Sequence, residues 1–131
     1  MQKVVFNGHY LTYIDTAIAE YWRAIGLDYP AGYVEKYAND MFLRKATLEY
    51  LGSARYDDEL VVRCRVSKLG RSSMTFVFEI CCEAPEPSAA PLVTAELVYV
   101  NADTATMKAA PLPEDLRSRV RTFERTAPAE G

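Results

Sequence analysis

His9 is the only histidine of the chain, and it lies in a dense run of polar and aromatic groups, Asn7-Gly8-His9-Tyr10-Leu11-Thr12-Tyr13-Ile14-Asp15. An imidazole of ordinary pKa suits general-base work near neutrality, although a single histidine at a helix start more often caps the helix or faces solvent. Asn7-Gly8 is a turn and helix-start signal, because an Asn side chain can cap free amides. Asp15 interrupts a helical pattern that is otherwise mostly apolar. A buried carboxylate needs partners, so Asp15 is expected at a substrate or subunit contact. Tyr10, Tyr13 and Met41 suit the wall of an apolar pocket, which is built much like a core. Farther on, Lys68-Leu69-Gly70-Arg71-Ser72-Ser73 gathers two cations and two hydroxyls around one glycine. The Arg71 fork fits phosphate oxygens in pairs, Lys68 adds charge, and Ser72 and Ser73 add donors. Cys64, Cys81 and Cys82 have neither disulfide nor metal-ligand spacing and read as thiols of a reducing compartment. No glycine-rich phosphate loop or catalytic-triad order is present.

These groups need a scaffold. With 131 residues, the chain has room for one domain, expected over 1–125, with a flexible tail at 126–131. Half of the residues are hydrophobic and 25% are charged, which excludes a disordered charged tail. The net charge of -3 leaves no basic surplus for a nucleic-acid backbone. No signal peptide and no membrane-length apolar run is present, so a soluble, cytoplasmic protein is expected.

Residues 1–6 read as a strand remnant or a tight lead into a helix. Over 9–25, Tyr10, Ile14, Ala17, Ile18, Tyr21 and Ile25 recur at spacings of three and four, and Leu11, Tyr13, Ala19 and Trp22 widen the apolar face. The pattern predicts a helix buried on most sides, stopped by Gly26. Residues 27–40 read as a loop with at most a short helical turn. Alternation then predicts strands over 41–51, 60–67, 73–82 and 92–100, with a hairpin at 67–71 and a break at the prolines of 83–91. In the first of these it puts Arg44, Ala46, Leu48 and Tyr50 on one side and Leu43, Lys45, Thr47 and Glu49 on the other. Pro113 opens a last helix with Leu116, Val120 and Phe123 as its apolar stripe. One long helix and four successive antiparallel strands imply a sheet curved around the helix. Its open edges imply oligomerisation.

The run from Val4 to Asp15 resembles the front motif of the hotdog-fold thioesterases, most closely the 4-hydroxybenzoyl-CoA thioesterases and their short-chain acyl-CoA thioesterase relatives. Ala54-Arg55-Tyr56-Asp57-Asp58-Glu59-Leu60 is similar to that family's approach to its long central strand, and Lys68–Ser73 to its basic hairpin followed by Ser. The resemblance runs from Met1 to about Val120. It implies an α+β hotdog fold, a curved antiparallel sheet wrapped around a central helix, working as a homodimer or homotetramer with clefts shared between subunits. It also implies hydrolysis of an acyl-CoA thioester to a free acid and CoA, with no metal and no cofactor beyond the CoA of the substrate. The Asn7 amide, with Gly8 beside it, would hold the thioester oxygen at the positive end of the helix. Tyr10 and Asp15 fall on the family's helix Tyr and its later acidic residue, and Arg71 would hold CoA. The family's catalytic carboxylate maps immediately upstream of Met1, so the expected nucleophile or general base lies outside the given chain. Asp15, over two helical turns from Asn7, replaces it only with a different geometry. Some relatives carry His at the position of Asn7, which leaves His9 two residues displaced. A non-catalytic acyl-CoA or acyl-carrier-protein binder of the same fold is the second reading. A dehydratase or hydratase is the third, with His9 as its only acid–base group.

Overall fold

The computed structural model describes residues 2–5 by their backbone and residues 10–55 and 58–130 in full. The elements are β1 (Gln2–Val5), α1 (Tyr10–Ala24), α2 (Ala31–Tyr37), β2 (Asn39–Tyr50), β3 (Glu59–Leu69), β4 (Ser73–Ala84), β5 (Val93–Asp103), α3 (Glu114–Phe123) and β6 (Ala129–Glu130). The sheet runs β1-β3-β4-β5-β2 with antiparallel neighbours, and β6 joins β3 in parallel. All four strands read from alternation are present, each extended by one to three residues at an end. The long edge strand β2 pairs only with β5 among the described residues.

Alternation decides which face is covered. Leu60, Val62 and Val66 of β3 and Met74, Phe76, Phe78 and Ile80 of β4 are buried, whereas Arg63, Arg65 and Glu79 are exposed on the other face. α1 lies on the buried face through Tyr13, Ile14, Ala17, Tyr21 and Trp22, with Tyr21 edge-on to Phe76 at 5.4 Å. Each large side chain among these contributes roughly 1.5–3 kcal/mol through burial, and Ala17 less. Gly26 ends the helix at φ +80, and the Arg119 guanidinium donates to Ile25 O at 2.9 Å across it.

Four expectations need correction. α1 is not buried on most sides, because Leu11, Thr12, Asp15, Thr16, Ala19, Glu20 and Arg23 form a solvent face. No described element crosses over that face, so Asp15 is an exposed carboxylate and not a buried one. A register shift between Leu43 and Lys45 changes the phase of β2. Leu43 pairs with Tyr99 and Ala46 with Leu97, so Leu43 joins Ala46, Leu48 and Tyr50 on the helix side instead of facing away with Lys45. The segment 27–40 contains a complete helix, α2. The expected flexible tail, 126–131, carries β6, which pairs with Lys68 and Leu69, while Glu130 bridges to Arg117 and Arg121.

Candidate active site

α1 begins at one end of the sheet. Tyr10, its first residue, lies edge-on to Tyr13 at 6.2 Å and 5.7 Å from the Tyr50 ring at the end of β2. Asp58, just before β3, accepts the Arg55 amide at 2.7 Å. Burial, followed by the neighbouring Tyr13, Tyr50 and Asp58, pushes the Tyr10 hydroxyl pKa up, so it stays a neutral donor. Asn7, Gly8 and His9 lie outside the described residues.

Asp15 follows one and a half turns later, without a hydrogen-bond or ion-pair partner among the described residues. Its charge, after burial, helps raise the Tyr99 hydroxyl of β5. Both α1 and β2 carry exposed apolar side chains: Leu11 of α1 is 61% exposed, and Leu43 and Tyr50 of β2 are 53% and 63%.

The other expected residues gather at the opposite end. Met41 is the third residue of β2, nine residues from Tyr50 or about 30 Å along an extended strand, and is buried in the core. Tyr29 donates to Met41 O at 3.3 Å and to Asp40 at 2.7 Å there. Lys68, Arg71, Ser72 and Ser73 form the β3–β4 hairpin. It is separated from Asp58 by the 11 residues of β3, about 35 Å. Lys68 and Arg71 are exposed with no ion pair among the described residues, and Ser72 and Ser73 are half-buried. One chain therefore joins Tyr10, Tyr13 and Asp15 at one end and Met41 with the cationic hairpin at the other, and does not unite the two groups. Tyr50, Asp58 and Tyr99 were not legible as site residues, since nothing in their local sequence shows that they converge on α1.

A groove of about 680 Å3 lies on the outer sheet face between Arg63, Arg65, Glu79, Glu96 and Lys45, away from all of these residues. Among the described residues no helix is long and apolar enough to cross a membrane, and no cluster of His, Cys, Asp or Glu could hold a metal ion.

An open antiparallel sheet packed on one long helix that starts at a sheet end is the hotdog architecture. The thioesterase superfamily model matches residues 2–89, and the chain belongs to that superfamily. Solved structures agree on the fold. A variant of 4-hydroxybenzoyl-CoA thioesterase complexed with 4-hydroxybenzoyl-CoA superimposes with TM-score 0.79 at 16% identity, covering 91% of this chain and 96% of that one. A 1,4-dihydroxy-2-naphthoyl-CoA thioesterase from Synechocystis gives 0.77 at 19% identity, covering 94% and 87%. A Staphylococcus aureus protein in complex with CoA gives 0.79 at 12% identity, covering 98% and 85%. No curated protein sequence matches the chain.

Proposed function

We propose that this chain hydrolyses an acyl-CoA thioester to a free acid and CoA, as a cytoplasmic enzyme and without a metal. The observation that carries this reading is the superfamily match over residues 2–89, which spans both the start of α1 and the cationic hairpin. The Asn7 amide, with Gly8 beside it, holds the thioester oxygen, where charge develops in the transition state. Tyr10 and Tyr13 flank the acyl group, and Arg71 with Lys68 takes the phosphates of CoA. The candidate attacking group within the chain is Asp15, as nucleophile or general base; it is exposed and has no hydrogen-bond or ion-pair partner among the described residues.

The site works as a homodimer, alone or within a tetramer. An isologous antiparallel pairing of two free β2 edges sets the end of one β2 beside the start of the other. The start of α1 in one copy then shares an end of the joint sheet with the hairpin of its partner. The same pairing covers Leu43, Tyr50 and Leu11.

The test is a panel of acyl-CoAs with detection of the released thiol, using this chain and its Asp15→Asn variant. Hydrolysis that Asp15→Asn abolishes assigns Asp15, and hydrolysis that survives the change removes Asp15 from the reaction. If the chain hydrolyses no member, the hydrolase reading fails.

A further inference from the structure

The hairpin carrying Lys68, Arg71, Ser72 and Ser73 is shaped largely by the C-terminal third of the chain. Gly70 N donates to Ser73 O at 2.8 Å and closes the turn. The remaining turn carbonyls are taken up from outside it. Leu112 N donates to Arg71 O at 2.9 Å and Asn101 N to Ser72 O at 2.7 Å. Arg117 of α3 donates from Nη2 to Gly70 O and, at 3.3 Å, to Arg71 O. Its Nη1 meets Glu130 of β6 at 3.0 Å, and Glu130 accepts again from Arg121 Nε at 3.0 Å and Nη2 at 2.7 Å. β6 itself runs beside Lys68 and Leu69. The Arg117 side chain is only 16% exposed, whereas Arg71 is exposed and unpaired among the described residues.

This division of labour has a physical consequence. A long cationic side chain grips an anion well only when the backbone beneath it is already ordered, because ordering at the moment of binding subtracts from affinity. We propose that Arg117 is a positioning residue: by holding the Gly70 and Arg71 carbonyls it fixes the turn on which Arg71 receives the nucleotide phosphates of CoA. This rests on the acyl-CoA reading above. Arg117 uses its donors on protein carbonyls and Glu130, so its effect on the ligand passes through Arg71. A lysine cannot span two carbonyls and a carboxylate with one fixed fork.

The experiment is calorimetric titration of the full chain with a non-hydrolysable acyl-CoA thioether and with the same acyl group on pantetheine, which lacks the nucleotide phosphates. The variants are Arg117→Met, Arg117→Lys, Arg71→Ala and the Arg71→Ala/Arg117→Met double. Arg117→Met is expected to weaken the acyl-CoA analogue about tenfold, the size of one charge-assisted contact. The pantetheine analogue should stay within about twofold. The double variant should bind no more weakly than Arg71→Ala, since the two residues act in series. Equal losses on both ligands, or additive losses in the double, overturn the positioning role. Arg71→Ala weakened with Arg117→Met unchanged overturns it alone. Arg71→Ala without effect overturns the reading of the hairpin as the CoA site, and the inference with it. Circular dichroism monitors folding. Should Arg117→Met not fold, Arg117→Lys makes the same contrast, a selective partial loss supporting the role and no loss refuting it.

Discussion

Asn101 ties the end of β5 to the turn and to the segment before α3, and replacing it with Asp tests the packing at that end of the sheet. The residue is 0% exposed. Tyr33 donates to its Oδ1 at 2.7 Å, and its Nδ2 donates to Ala110 O at 3.3 Å and Pro111 O at 3.1 Å. Aspartate has nearly the same shape and keeps the Tyr33 bond, but it turns two donors into an acceptor facing two carbonyls. Each orphaned buried group costs about 1–3 kcal/mol, and the desolvated charge adds to that. The expected loss near pH 7 is about 3–5 kcal/mol, a large part of the 5–15 kcal/mol typical of a domain. The pH dependence has a definite sign. Burial without a cationic partner raises the folded-state pKa of the introduced Asp above its unfolded value of about 3.9. The stability that its neutral form provides is fully present below that value and is lost as pH rises through the folded pKa. The deficit relative to the parent chain must therefore grow between pH 4 and pH 7. Urea unfolding at both pH values, followed by the fluorescence of Trp22, which stacks on Tyr29 at 4.7 Å, measures it. A deficit below about 1 kcal/mol at pH 7, or one larger at pH 4, would refute this account of Asn101.

Three further outcomes are expected. Burial and then Glu124 push the Cys64 thiol up to about 12, so at pH 8 a disulfide reagent should label Cys81 well before Cys64; equal rates would contradict this. Asp115 is held below the usual carboxylate range first by the Tyr37 hydroxyl and then by Lys36 and Arg119, and Glu130 first by Arg121 and also by Arg117. The stability that these lowered pKa values provide is present above the unfolded values, about 4, and is lost as pH falls through the folded ones. Hydrogen exchange should show α3 losing protection relative to β4 below about pH 4, and parallel loss in both would count against a local clamp. Leu43→Arg puts a charge on an exposed apolar position of the edge strand β2, and light scattering should show the proposed dimer dissociating; an unchanged mass would exclude that edge as the interface.

Much of this protein was legible in one dimension. Strand alternation placed β2, β3, β4 and β5 to within a few residues, because the side-chain period of a strand is local. Gly26 marked the end of α1 because a left-handed backbone position favours glycine. The resemblance marked the helix start and the basic hairpin as the parts to compare. Other features depended on partners distant in sequence. Leu43 changed faces because of a register shift against β5, which no local pattern in β2 announces. Asp15 became exposed because no described element covers the outer face of α1. The tail acquired a strand only because the end of β3 offered an edge and Arg117 and Arg121 met Glu130. The sequence by itself therefore determined the elements, the core faces and the groups available for chemistry, since these follow from periodicity and residue type. Only the tertiary structure decided that Tyr10 and Arg71 stand at opposite ends of one sheet, because strand order and direction arise from pairings between residues far apart in the chain.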